Sequence, residues 1–186
     1  MFQGEKMSSR HNVFISYHHK NDEAYKVEFE RLFSGIYDIL ETKAVTDGDI
    51  DPYLKTETIR QKIRDEFIRN SSVTVVLIGS ETWKRKHVDW EISSSIRDTQ
   101  LNSRTGLLGI ILPTYPRNDI TKYNRGTIPP RLYDNIDCNF ATIHNWSNDS
   151  HEVQEWIHQA FLRRKQINPS NSRDMFGQNK SSNSWS

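Results

Sequence analysis

Val73-Thr74-Val75-Val76-Leu77-Ile78 is an unbroken apolar, mostly β-branched run, and it constrains the fold of this chain more than any other segment. A half-exposed antiparallel strand would alternate apolar with polar residues; this one does not. It reads as a central strand of a parallel sheet, covered on both faces. Parallel neighbours cannot be joined by tight hairpins, so the flanking sequence has to supply crossover helices.

The flanks supply them. Val13-Phe14-Ile15-Ser16-Tyr17 is a first short strand, followed by the polar cluster His18-His19-Lys20-Asn21-Asp22. Tyr25, Phe29, Leu32, Phe33 and Ile36 then recur at helical spacing, with Asn21 or Asp22 available as the cap. Ala44-Val45-Thr46 reads as a weak second strand ending at Asp47-Gly48-Asp49, and Ile59, Ile63 and Phe67 mark a second helix ending near Asn70. Val88, Ile92 and Ile96 set a third helix. Leu107-Leu108-Gly109-Ile110-Ile111-Leu112 gives a fourth strand stopped by Pro113. Residues 115–137 are irregular and rich in Pro, Asn and Tyr. Phe140-Ala141-Thr142-Ile143 reads as a fifth strand, and Val153, Trp156, Ile157, Ala160 and Phe161 as a last helix. The expectation is a flavodoxin-like, three-layer α/β fold whose central parallel sheet has about five strands in the order 2-1-3-4-5. Residues 1–11 are expected to be a flexible segment, 12–167 the domain, and 168–186 a disordered tail, Ser- and Asn-rich with few apolar anchors.

Composition excludes several function classes. The 186 residues carry 25 Lys and Arg against 24 Asp and Glu, a net charge of +1, so no global field favours nucleic acid or an anionic membrane. The single cysteine, Cys138, rules out an internal disulfide and a cysteine-based metal site. Asp47, Asp49 and Asp51 lack the remaining spacing of a calcium loop, so no metal is expected. The apolar runs are strand-sized and residues 1–10 are polar, which argues against a membrane span or secretory signal and for a cytoplasmic protein.

In open parallel sheets a ligand binds outside the carboxyl ends of the strands, where strand order reverses. Those ends are Tyr17-His18-His19, Asp47-Gly48, Gly79-Ser80 and Pro113-Thr114. At about 100° per residue, Val88, Ile92 and Ile96 share one side of the third helix, and Glu91 and Ser95 lie at the other edge of the stripe. Glu91 thus faces along the sheet, with small Ser94 and Ser95 leaving room beside it. Such a carboxylate suits the stabilisation of a ribosyl cation, and it equally suits a boundary ion pair with a lysine or arginine. Lys84, Arg85 and Lys86 fit either a pyrophosphate or a solvated loop. His18 and His19 fit a ribose or a polar turn, and Trp83 a stacked base or core packing.

Three stretches together resemble the TIR family: the first strand at 13–17, the core strand followed by Gly79-Ser80-Glu81-Thr82-Trp83, and Val88-Asp89-Trp90-Glu91-Ile92. More closely they resemble the TIR-like branch of bacterial antiphage Thoeris systems, over roughly residues 12–165. The resemblance implies an enzyme that cleaves NAD, releases nicotinamide and makes a cyclic or modified ADP-ribose signal for a partner effector. NAD would be the substrate, with no separate cofactor, and Glu91 the catalytic carboxylate. Phe14, Ser16, Tyr17, His18, Asp47, Ser80, Trp83, Lys84 and Arg85 would form the substrate-binding set. The alternative the family allows is a non-catalytic adapter acting by TIR–TIR association. The loop at 46–55 lacks the Arg-Asp-hydrophobic-Pro-Gly character common in TIR domains.

Overall fold

The computed structural model describes residues 10–39, 45, 46 and 48–185. Five parallel strands form one sheet in the order β2-β1-β3-β4-β5. They are β1 (Asn12–Ser16), β2 (Asp38–Ile39), β3 (Val73–Ile78), β4 (Gly106–Ile111) and β5 (Ala141–Asn145). Every residue of β3 and β4 is buried, as unbroken apolar runs in a doubly covered sheet require.

Alternation along the strands sorts the core into two layers. Val13, Ile15, Val75, Leu77, Leu108 and Ile110 face α1 (His19–Phe33) and α5 (Ser150–Gln166), meeting Phe29, Phe33, Val153 and Ile157. On the opposite face, Val76, Ile78, Leu107 and Ile111 pack under α3 (Lys86–Ser95) and α4 (Pro130–Asp137). Phe14 heads a third cluster on that same side with Ile59 of α2 (Thr56–Lys62), Ile63, Phe67 and Trp90. Gly106 lets α5 close on the sheet, because a Cβ there would lie 2.1 Å from the Ala160 carbonyl oxygen.

Four expectations need correction. The second strand is Asp38–Ile39, paired with β1 through Asn12 and Val13, and not Val45-Thr46, which carry no strand; Ala44 and Asp47 lie outside the described residues. The cap of α1 is His18, whose Nδ1 accepts from the Asn21 amide, while Asp22 turns inward and is buried. Within 115–137 lies α4, opened by Pro130 in its first turn, where a missing amide costs nothing.

The fourth concerns the tail. Residues 168–185 are laid across α3 and α4 by specific bonds. Asn171 bonds Ser93 and Arg131, Phe176 is buried against α3, and the Trp185 indole donates to the Ile128 carbonyl at 2.7 Å. A polar segment stays ordered where fixed partners satisfy its amides. Among the described residues, no helix is long and apolar enough to cross a membrane.

Candidate functional site

The sheet order reverses between β1 and β3, and α3 begins shortly after β3 ends, so the last residue of β1 comes to lie beside α3. Ser16 there donates its hydroxyl to Glu91 Oε2 at 2.6 Å, and the Val45 amide lies 3.4 Å from Oε1. Glu91 is only 1% exposed and pairs with no cation among the described residues. Burial pushes its carboxyl up to about 7, and the two hydrogen bonds pull against that rise. The group therefore changes charge near neutral pH.

A cavity of about 180 Å³ opens against this carboxyl, lined by Tyr17, His18, His19, Lys20, Val45, Thr46, Arg85, His87, Val88 and Glu91. Two of its walls are held by side-chain contacts. The Tyr17 hydroxyl donates to Glu23, and the ring stacks on His19 at 4.4 Å with the planes 6° apart. His18 is held as the cap of α1, and burial, reinforced by Arg85, lowers its pKa; burial lowers that of His19 as well. Both imidazoles are therefore biased towards the neutral form, and Arg85 and Lys20 are the permanent cations of the lining. A cavity this size falls below the roughly 300–1,000 Å³ of sites that enclose a whole small molecule. It suits part of such a molecule, with the rest left outside.

Beside it, Asp22 is buried under the switch point with its carboxylate near the Thr82 and Thr114 hydroxyls, at 3.4 and 3.3 Å. Gly79 makes this possible, since a Cβ there would sit 2.4 Å from both Asp22 oxygens. A larger cleft of about 480 Å³ opens at the carboxyl ends of β4 and β5, between Arg117, His144, Trp146 and Trp156. Its carboxylate, Glu152, is exposed and bonded to Ser147, and it has none of the burial that raises the pKa of Glu91. The smaller cavity is the better candidate.

Of the residues anticipated from sequence, Glu91, Ser16, Tyr17, His18 and Arg85 come together. Phe14 does not join them: it shares the Ser16 face of β1 but lies two residues further from the strand's carboxyl end, in the α2 cluster. Trp83 is packed into the core, 2% exposed, and Lys84 is tied to Glu81 at 3.0 Å. Ser80 lies outside the cavity lining, and Asp47 lies outside the described residues. Ser94 and Ser95 are buried and donate back to the Trp90 and Ile92 carbonyls, so the free space lies on the Arg85–Val88 side and not beside them. His19, Lys20, Val45, Thr46, His87 and Val88 were absent from the anticipated binding set. His87 was readable, because it precedes Glu91 by one helical turn and must share its face.

Curated proteins offer no match to this chain. The family model of the Thoeris protein ThsB, TIR-like domain, matches residues 14–117, which run from β1 through α3 to just beyond β4. That is more than half of the sequence and includes Ser16, Arg85 and Glu91; the chain belongs to the Thoeris TIR-like family.

Proposed function

We propose that this chain acts in antiphage defence by cleaving NAD, releasing nicotinamide and making a cyclic or modified ADP-ribose that activates a partner effector. The observation that carries the reading is Glu91: a buried carboxyl with no cationic partner among the described residues, held by Ser16 against a ribose-sized cavity at the switch point. In its anionic form it sits where a neighbouring positive charge would gain most from it, in a site shielded from water.

In the reaction, the bond from the ribose anomeric carbon to the pyridinium nitrogen breaks. Its electron pair leaves with nicotinamide, which departs neutral and needs no general acid. The ribosyl cation left behind is stabilised by the Glu91 carboxylate. A nucleophile within the same ADP-ribose then attacks it, forming the new bond and shedding a proton if it is a hydroxyl; water gives simple hydrolysis instead. Exclusion of water from a narrow cavity favours the intramolecular outcome. Arg85, a cation of the lining, could pair with the diphosphate, and the stacked Tyr17 and His19 rings offer an aromatic wall for a base.

The test is mass spectrometry of small molecules after incubating the purified protein with NAD, at low and at very high protein concentration, beside Glu91→Gln. Nicotinamide with an ADP-ribose isomer or adduct, lost in the variant, supports the enzyme. Intact NAD even in concentrated protein moves the reading to an adapter acting by TIR–TIR association.

A further inference from the structure

We propose that residues 168–185 are a strap that positions α3, and through it the Glu91 carboxylate. The inference rests on Glu91 being the catalytic group, and it starts from a defect in α3 itself. The residue at its N-cap is Arg85, which makes no side-chain capping bond. A helix so begun leaves first-turn amides to find other acceptors. The acceptor comes from the tail: Asn179 Oδ1 takes the Lys86 amide at 3.0 Å, and the Lys180 amide donates to the Lys84 carbonyl at 2.8 Å. The strap thus caps the helix immediately beside Arg85 and His87, two walls of the cavity.

Further along, the strap grips the face of α3 turned away from the cavity. The Phe176 amide donates to Asp89 Oδ2 at 2.9 Å, and its carbonyl accepts from the Trp90 indole at 2.7 Å. Asn171 accepts from Arg131 Nη1 at 2.9 Å and donates to the Ser93 carbonyl at 2.9 Å, joining α4 to α3. Trp90 carries the grip across, for its ring packs in one cluster with Phe14 and Val45, and the Val45 amide faces Glu91 Oε1. Trp90, immediately before Glu91, and Ser93, two positions after it, are therefore both bonded to the tail.

The strap is held by discrete polar bonds and a few apolar anchors, chiefly Phe176 and Trp185, so it can come off without dismantling the core. Residues 118–185 lie beyond the span matched by the family model.

The experiment compares the full-length wild type with Asn171→Ala/Asn179→Ala and with Val153→Ala, a core change in α5 away from the strap. Amide hydrogen exchange is read across residues 86–95, and kcat and KM for NAD are measured on the same samples. The expected result in the double variant is exchange about tenfold faster in α3 and kcat lower by about tenfold, with KM within about threefold. Val153→Ala should leave α3 exchange near wild type. Unchanged α3 exchange in the double variant, equal acceleration in Val153→Ala, or an unchanged kcat in active protein overturns the proposal. If the double variant does not fold, exposed Asn179→Ala alone carries the same comparison. If α3 loosens as expected but the wild type leaves NAD intact, the strap stands and the catalytic assignment of Glu91 falls.

Discussion

Asp89 and Glu91 are both buried carboxylates on α3, 2% and 1% exposed, and they have opposite fates. Two positions apart on a helix is roughly 200° of rotation, so they point to opposite sides. Asp89 meets Arg131 in a buried ion pair, at 2.9 and 3.3 Å, and also accepts the Phe176 amide. Glu91 meets a hydroxyl, a distant amide and a cavity. Asp89 is fully partnered and joins α3 to α4 and the tail; Glu91 is left short of positive charge, which is costly for folding and is what the proposed reaction would use. What distinguishes Glu91 from Asp89 is the absence of a counter-ion among the described residues, since burial is common to both.

The largest effect should come from breaking the partnered side. Arg131→Met leaves Asp89 buried without its cation and should cost about 3–5 kcal/mol, because a stranded charge keeps its desolvation penalty. In a chain of this length that lowers Tm by on the order of 10 °C, which calorimetry would read. A loss below about 1 kcal/mol would mean that the pair is solvated in solution and that the contrast with Glu91 is overstated.

Glu91→Gln should do the reverse on the other side. The Glu91 carboxyl titrates near 7 folded and near 4.5 unfolded, so between those values the folded state binds the proton that the unfolded state has released. Stability contributed by this group is therefore full below 4.5 and lost as pH rises through 7. The neutral amide escapes that loss. Relative to wild type it should gain about 3 kcal/mol between pH 4 and pH 8, while NAD cleavage falls by roughly 10²–10³-fold. Denaturant titrations at both pH values check the first part and product assays the second. Wild-type cleavage should rise with pH through about 7, where the group that has to be anionic loses its proton.

Ser16→Ala tests the bond that moderates this shift. The Ser16 hydroxyl donates to the anion, so its removal should move the midpoint of the pH–rate profile upward by about one unit, the equivalent of a charged hydrogen bond of about 1.5 kcal/mol. A midpoint that stays in place or moves down would show that the Ser16 contact is absent in the working enzyme.

The legible parts of the fold were those with a pattern of their own. β1, β3, β4 and the apolar stripes of α1, α3 and α5 could be read because period and burial coincide there. β2 could not, since two residues carry no alternation and their pairing is decided by Asn12 and Val13 of β1. α4 was hidden because Pro130 reads as a breaker when it is an opener, and because Arg131 and Asn135, its polar residues, are buried among partners from α3 and the tail. The tail was misread for a related reason: Ser and Asn look like disorder unless the acceptors and donors that fix them are known, and these lie far off in sequence, 35 positions for Ser170 and 93 for Asn179. At the site, Glu91 followed from helical spacing, but its partner Ser16 is 75 positions distant and its other contact, Val45, is 46. Both meetings are made by topology.

Ser94→Ala is the smallest of these effects and separates space from chemistry on α3. A small residue near Glu91 looks like room for a ligand, yet Ser94 is fully buried and its hydroxyl donates to the Trp90 carbonyl at 2.7 Å, one turn back in its own helix. Such a back-bond satisfies the hydroxyl while adding little to the helix, and alanine is the better helix former. The two changes nearly cancel, so stability should stay within about 0.5 kcal/mol and cleavage within about twofold. A large fall in activity at unchanged stability would place substrate against Ser94, on the side where α3 is packed, and would require the helix to turn before NAD can bind.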